Sequence, residues 1–231
     1  MTRPFAWPAA ARFGRRVPRD KLFERAGGGK AIRALYADQI ERIVWSHKLF
    51  SGSVNLPAGA SVAEIEVLEV VLRGEGVDDR VLDHLDRGVP QRTVLELRRG
   101  EGAAGEVMMA AAFKRPSEGG SASGARAERP VVLEHARGDW HKVEAERAPL
   151  PPAVDLDVLY AGLLRALWPH PARPGEGLRA HAERLSAAAA QAKVVTRLET
   201  CARREARFAR QVELMRELRG ARIKLGELTD A

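Results

Sequence analysis

The C-terminal part of the chain carries the feature that most restricts its fold, a long amphipathic and strongly basic run. Between Lys193 and Lys224, ten basic side chains stand against four acidic ones. Apolar residues recur at helical spacing in two adjoining stripes: Val194, Leu198, Cys201, Phe208, Val212 and Met215, and Leu214, Leu218, Ala221, Leu225 and Leu228. This pattern is typical of a helix that packs against a partner while remaining in water. It predicts one coiled-coil-like helix over 176–228.

The bulk composition is that of a globular, cationic chain. The 231 residues carry a formal net charge of +7, and 45% are hydrophobic but only 5% aromatic. The core is therefore expected to be mainly aliphatic. The sequence has no apolar run of bilayer-spanning length and no signal-peptide pattern, which predicts a cytoplasmic protein with no membrane partner. The single cysteine, Cys201, lies on an apolar stripe and is expected to be buried.

Strand and helix patterns alternate in the N-terminal part of the chain. Apolar spacing predicts a helix from Lys30 to about Trp45 and another over Val77–Arg87. The alternation in Ala63–Leu72 predicts a strand, and Arg92–Arg98 and Glu106–Lys114 predict two more. These elements predict a small mixed or antiparallel sheet with flanking helices.

The fold class expected from these patterns is α+β. Residues 1–148 are predicted to form the α+β domain, with a flexible loop at about 115–130 that is rich in Gly, Ser and Pro. Residues 149–231 are predicted to form a helical half that ends in the long basic helix.

Motifs for the common catalytic chemistries are incomplete. Gly28-Gly29-Lys30 resembles part of a phosphate-binding loop, but Ala31 follows the lysine and a helix, not a strand, precedes the glycines. The six histidines show no paired metal-ligand spacing, and there is no Gly-x-Ser-x-Gly sequence. We therefore predict no metal and no cofactor.

One group of acidic and basic residues on the predicted strands supports a catalytic hypothesis. Glu64 and Glu66 lie two positions apart on a predicted strand, while Glu96 and Lys114 lie on neighbouring ones. Carboxylates and a lysine on adjacent strands can hold Mg²⁺ and a phosphodiester. However, Ala112 occupies the place where metal-dependent nucleases usually carry an acid. A solvated sheet face gives the same alternation, so a nuclease site at Glu64, Glu66 and Lys114 is the alternative rather than the leading hypothesis.

The basic helix supplies two further sets of candidate residues. Arg203, Arg204, Arg207 and Arg210 are candidates for contact with DNA phosphates. Candidates for packing against a partner are apolar: Leu198, Phe208, Val212, Leu214, Met215 and Leu218.

Short pieces along the whole chain, in this order, resemble the bacterial domain-of-unknown-function family numbered 4391. They are Arg16-Val17-Pro18 with Lys21 and Phe23, Ile40 to Trp45 with Lys48, Val54-Asn55-Leu56, Glu64-Ile65-Glu66-Val67, Leu85-Asp86 with Val89-Pro90, Phe113-Lys114, Leu159-Tyr160 with Leu163, and Phe208 with Gln211 to Leu214 and Glu217-Leu218. The resemblance implies an accessory protein of an anti-phage or restriction-like system, beside a helicase and a DNA methyltransferase. It implies no catalytic residue.

Three functions follow as expectations. The first is a non-catalytic scaffold component of a defence complex, docking on a helicase or DNA methyltransferase and contacting DNA. The second is a divalent-metal nuclease, and the third is a structural homo-oligomer joined through the terminal apolar seam.

Overall fold

A computed structural model describes residues 3–115, 131–133 and 135–230. The helices are α1 (Arg19–Ala26), α2 (Lys30–Gln39), α3 (Ser51–Val54), α4 (Asp79–Gly88), α5 (Leu156–Leu167), α6 (Leu178–Arg204) and α7 (Phe208–Thr229). The strands are β1 (Arg12–Arg16), β2 (Ile40–Leu49), β3 (Ile65–Leu72), β4 (Arg92–Arg99), β5 (Glu106–Ala111), β6 (Lys114–Arg115), β7 (Val131–Val132), β8 (Ala136–Arg137) and β9 (His141–Lys142). The predicted flexible loop falls mostly on residues outside this description.

One mixed sheet organises the first part of the chain. Its strand order is β1-β2-β3-β4-β5-β8, and β9 also pairs with β5. The strands β3 and β4 run parallel, joined through α4, and the other neighbours are antiparallel. A parallel pair requires such a crossover, because the chain must return from the end of the first strand to the opposite end of the sheet, where the second strand begins. The predicted α+β class with a mixed sheet is confirmed.

Both faces of the central strands are buried. On one face, Leu68 and Leu95 pack in a core that contains residues of α1, α2 and α4. On the other face, the paired residues Val67 and Val94 are also fully buried. Burial on two sides explains why β3 becomes continuously apolar toward its end.

The chain divides into two compact units, Met1–Trp168 and Pro169–Ala231. The boundary predicted from the sequence lies earlier, at residue 148, and places α5 in the helical half. In the structure α5 belongs to the first unit. Among the described residues, no helix is long and apolar enough to cross a membrane.

The second unit is a hairpin of two helices, which corrects the prediction of one continuous helix over 176–228. The chain leaves helical geometry at Glu205–Arg207, where the Glu205 carboxylate accepts a hydrogen bond of 2.9 Å from the Arg207 amide. No glycine or proline marks this break. Folding back buries two apolar seams against each other, whereas a lone helix would leave its seam in water.

The base of the hairpin is fixed by Arg184, whose side chain is buried. Its guanidinium forms a two-point ion pair with Glu176, with nitrogen–oxygen distances of 2.7 and 2.8 Å. It also donates to the carbonyl oxygen of Leu228 near the end of α7, at 2.7 Å. A cation at a helix C-terminus is favoured by the helix dipole. Part of the basic charge of this unit is therefore structural.

Two local predictions were wrong. The helix beginning at Lys30 ends at Gln39, and Ile40–Leu49 is the strand β2. The β-branched and aromatic residues Ile43, Val44 and Trp45 favour a strand once a sheet is present on which they can pack. Cys201, expected to be buried, is exposed on α6.

Candidate functional site

A closed charge cluster surrounds Lys114, one of the three residues of the nuclease hypothesis. Lys114 and Asp86 have fully buried side chains, 0% exposed, and the lysine nitrogen lies 2.7 Å from a carboxylate oxygen of Asp86. The same nitrogen donates hydrogen bonds to the carbonyl oxygens of Val89 and Gln91, at 3.1 and 2.8 Å, and to the Thr93 hydroxyl at 2.7 Å. Lys114 therefore ties the α4–β4 connection to the end of the sheet.

His135 completes this cluster. Its Nε2 is hydrogen-bonded to Asp86, and its Nδ1 lies 3.4 Å from a carboxylate oxygen of Asp83. Burial lowers the pKa of His135, but the hydrogen bonds and charges of Asp83 and Asp86 outweigh burial and raise it to about 9. A histidinium between two carboxylates is therefore the ordinary state at neutral pH.

The buried pair of Lys114 and Asp86 is held in its ionised form. Burial alone would raise the pKa of Asp86, but the charges and hydrogen bonds of Lys114 and His135 lower it below its ordinary value. Burial lowers the pKa of Lys114, and Asp86 opposes that shift. Four acceptors around the lysine nitrogen favour its protonated, ammonium form. The ammonium has three hydrogens to donate, and its positive charge balances the negative charge of Asp86.

The two glutamates of the nuclease hypothesis have different surroundings. Glu66 lies on β3 and is almost fully buried, and burial, helped by the charge of Glu64, raises its pKa to about 7. Glu64 lies just before β3 and forms an ion pair of 2.5 Å with Lys48. Glu96 lies on the opposite face of the sheet, where it accepts a hydrogen bond of 2.6 Å from Arg147.

The chemistry open to this cluster is limited by its packing. Lys114 has neither solvent contact nor a free lone pair in its ammonium form, so it is unsuited to act as a base or nucleophile. Among the residues that the structure describes, no group of three His, Cys, Asp or Glu side chains is arranged to hold a metal ion. The cluster is suited to holding α4 on the sheet.

The six apolar packing candidates fall into two groups. Leu198, Leu214 and Leu218 are buried in the hairpin's own core, together with Val195, Ala202 and Ala221. These residues meet a partner helix within the same chain. Phe208, Val212 and Met215 are exposed.

The exposed residues form a second apolar stripe on α7. Phe208 is 79% exposed, Val212 48%, Met215 51% and Ile223 60%. At 100° per residue these four side chains span about 80° of the helix surface, and the edge of this sector lies about 60° from the Leu214–Leu218 seam. We call Phe208, Val212, Met215 and Ile223 the outer stripe. Scattered single apolar residues are common on surfaces, whereas an aligned stripe indicates a contact surface.

The four arginine candidates lie where the hairpin turns. Arg203, Arg204, Arg207 and Arg210 are all exposed. Arg210 forms an ion pair with Glu213 at 2.7 Å. Within the described part of the chain, the side chains of Arg203, Arg204 and Arg207 form no ion pair, so their charge is available to an anionic partner. We call these four residues the tip arginines.

Asp86 and His135, which complete the cluster around Lys114, are not among the site residues predicted from the sequence. They lie 49 positions apart, and only the docking of α4 on the sheet brings them together. A signal was nevertheless present, because Lys114 follows the apolar run of β5. A lysine buried there requires an acidic partner.

These features define a mixed α+β unit, closed around a buried ion cluster, followed by a helical hairpin with basic and apolar surfaces. The model of the family described as Domain of unknown function (DUF4391) matches residues 5–225. The chain belongs to this family. No curated protein and no solved structure shows significant similarity to it.

Proposed function

We propose that this chain is a non-catalytic accessory component of a bacterial defence complex, and that its hairpin docks on a helicase or DNA methyltransferase of the same system. The observation that carries the proposal is the outer stripe. The hairpin already closes its own core through Leu198, Leu214 and Leu218. The outer stripe is therefore surplus to folding and is available to a partner protein.

The charge around the outer stripe favours a protein partner with acidic side chains. On the helical wheel of α7, Arg219 lies within the outer stripe and Arg216 lies beside it. No acidic residue of α7 lies in the same sector. Apolar contacts at the centre and charged pairs at the rim are the usual composition of a protein interface.

Contact with DNA is the second part of the proposal. Three of the tip arginines, Arg203, Arg204 and Arg207, supply guanidinium groups that form no ion pair among the described residues, and such groups suit phosphate oxygens. Phosphate contacts position a protein on DNA without reading its sequence, and this suits an accessory component of an enzyme complex.

Co-purification with the helicase and the DNA methyltransferase of the proposed defence system tests the docking. The variant Val212→Glu/Met215→Glu is expected to lose the partner, because it places two charges in the apolar contact. Val154→Glu is the control, since Val154 is an exposed apolar residue of the first unit. Retention of the partner by the double variant would contradict the proposal.

The nuclease and homo-oligomer hypotheses stay predictions. Mg²⁺-dependent cleavage of DNA by the unaltered chain that is lost in Glu66→Ala would favour the nuclease hypothesis. Light scattering on the full chain and on Val212→Glu/Met215→Glu tests the homo-oligomer hypothesis. That hypothesis requires the full chain to form an oligomer that dissociates in the variant.

A further inference from the structure

A basic groove lies on the first unit, away from every residue considered above as a functional candidate. Its volume is about 590 Å³, and it is lined by the end of β1 with the two residues that follow it, the start of α1, the start of β2 and the residue that follows β3. That volume is within the range of small-ligand sites. Four arginines line the groove, Arg16, Arg19, Arg42 and Arg73, against two acids, Asp20 and Glu41.

Two of these arginines are held by neutral partners. Arg19 donates hydrogen bonds to the carbonyl oxygens of Ile40 and Glu41. Arg73 donates to the same Ile40 carbonyl, at 3.1 Å. Carbonyl oxygens fix the two guanidinium groups without neutralising them. In the described part of the chain, neither arginine forms an ion pair, so both positive charges remain in the groove.

The other two arginines differ in their pairing. Arg16 is exposed and has no ion-pair partner among the described residues. Arg42 shares its charge with Glu41, at 3.3 Å, and Glu69, at 3.8 Å. Glu41 is thus already engaged, which leaves Asp20 as the acid of the lining without an arginine partner in the described ranges. The balance in the groove is positive.

The groove also receives the first turn of α1, which begins at Arg19. The N-terminus of a helix carries a partial positive charge, and here it is part of the lining of the groove. This adds to the attraction that the arginines supply.

We propose that this groove binds phosphate groups, either of a nucleic acid backbone or of a free phosphorylated compound. Guanidinium groups match phosphate oxygens with paired hydrogen bonds, and two of them are oriented here before any ligand arrives. The proposal is independent of the docking function of the hairpin, because it concerns residues of the other unit.

Titration calorimetry with inorganic pyrophosphate, in a phosphate-free buffer at low salt, tests the site on the full chain. Arg16→Glu is expected to weaken binding by about tenfold or more, because it replaces a charged donor with a repelling carboxylate. Asp20→Asn is expected to strengthen it. Arg12→Glu is the matched control, an exposed arginine of the same strand outside the groove, and is expected to bind as the unaltered chain does.

A second arm identifies the source of the phosphate. If Arg16→Glu also weakens binding of a labelled short DNA duplex, and pyrophosphate displaces that duplex, the ligand is nucleic acid. If the duplex is bound equally by both chains while pyrophosphate binding is lost, the ligand is a free phosphorylated compound. Absence of pyrophosphate binding at millimolar concentration, or equal affinities of the unaltered chain and Arg16→Glu, would overturn the proposal.

Discussion

The side-chain nitrogen of Lys114 lies 2.7 Å from a carboxylate oxygen of Asp86, and both side chains are fully excluded from solvent. Removing one partner of such a pair leaves an uncompensated charge in the interior, which costs about 3–5 kcal/mol. The pair joins the last turn of α4 to the end of the sheet, so its loss acts on the whole first unit.

Asp86→Asn is therefore expected to lower the free energy of unfolding of the first unit by about 3–5 kcal/mol. Urea denaturation followed by tryptophan fluorescence measures it, because Trp7, Trp45, Trp140 and Trp168 all belong to this unit. Asp20→Asn, at an exposed aspartate without an ion pair in the described residues, is the control. A loss below about 1 kcal/mol for Asp86→Asn would mean that the pair is not structural.

His135 should make the free energy of unfolding fall as the pH rises above neutral. Its pKa is about 9 in the folded chain against an ordinary 6.5. The stabilisation is complete below pH 6.5 and is lost as the pH rises to 9, by about 3 kcal/mol in all. His135→Gln should flatten this part of the stability curve. Parallel curves for the two chains would show that His135 carries no charge in the fold.

Glu66 acts in the same direction over a lower pH range. Its pKa is about 7 in the folded chain, and the ordinary value is 4.5. Between these two pH values the folded chain still binds a proton that the unfolded chain has released, so the free energy of unfolding falls as the pH rises. Above pH 7, Glu66→Gln should be more stable than the unaltered chain by about 3 kcal/mol, and the difference should vanish below pH 4.5. Denaturation at both ends of this range measures it. Equal stability above pH 7 contradicts the burial of an ionised Glu66.

The two apolar stripes of α7 should respond differently to truncation. Leu218→Ala opens the hairpin core and is expected to reduce the protection of α6 and α7 amides by about 2–5 kcal/mol. Val212→Ala, on the outer stripe, should leave it unchanged. Hydrogen–deuterium exchange of the free protein reports both. Equal effects would mean that the outer stripe is also packed in solution.

DNA binding through the tip arginines should depend steeply on salt. Each lost phosphate contact reduces the slope of log affinity against log salt by about 0.9, so Arg204→Gln/Arg207→Gln should reduce it by about 2. Arg12→Gln/Arg165→Gln removes the same charge from exposed positions elsewhere in the chain. If the control pair lowers the slope as much, the binding reflects net charge alone.

The sequence predicted the elements whose pattern is local. Ala63–Leu72 alternates before it becomes continuously apolar, Arg92–Arg98 is rich in apolar and β-branched residues, and the strands β3 and β4 lie there. Residues Ile40–Trp45 also satisfy helical spacing, so periodicity extended the preceding helix over a strand. Only pairing with β3, which is a tertiary contact, decides between the two.

The exposure of the arginine candidates could be predicted from their charge. The exposure of the apolar candidates could not, because it depends on how the helices fold back on each other. The tip arginines are exposed, as their charge requires. The apolar candidates divided between two faces because the chain turns at Glu205–Arg207, and no local residue signals that turn. Continuing the helix through it would place Phe208 and Val212 on the same seam as Leu198, whereas the hairpin turns them outward.

The most direct test of the proposed docking is the affinity of the purified chain for the purified helicase or DNA methyltransferase of the proposed defence system, with and without the outer stripe. The unaltered chain and Val154→Glu should bind one of them equally. Val212→Glu/Met215→Glu should bind at least about a hundredfold more weakly, while its circular dichroism keeps the helical signal of the hairpin. Equal affinity of all three chains, or no binding by any of them, would contradict docking through this surface.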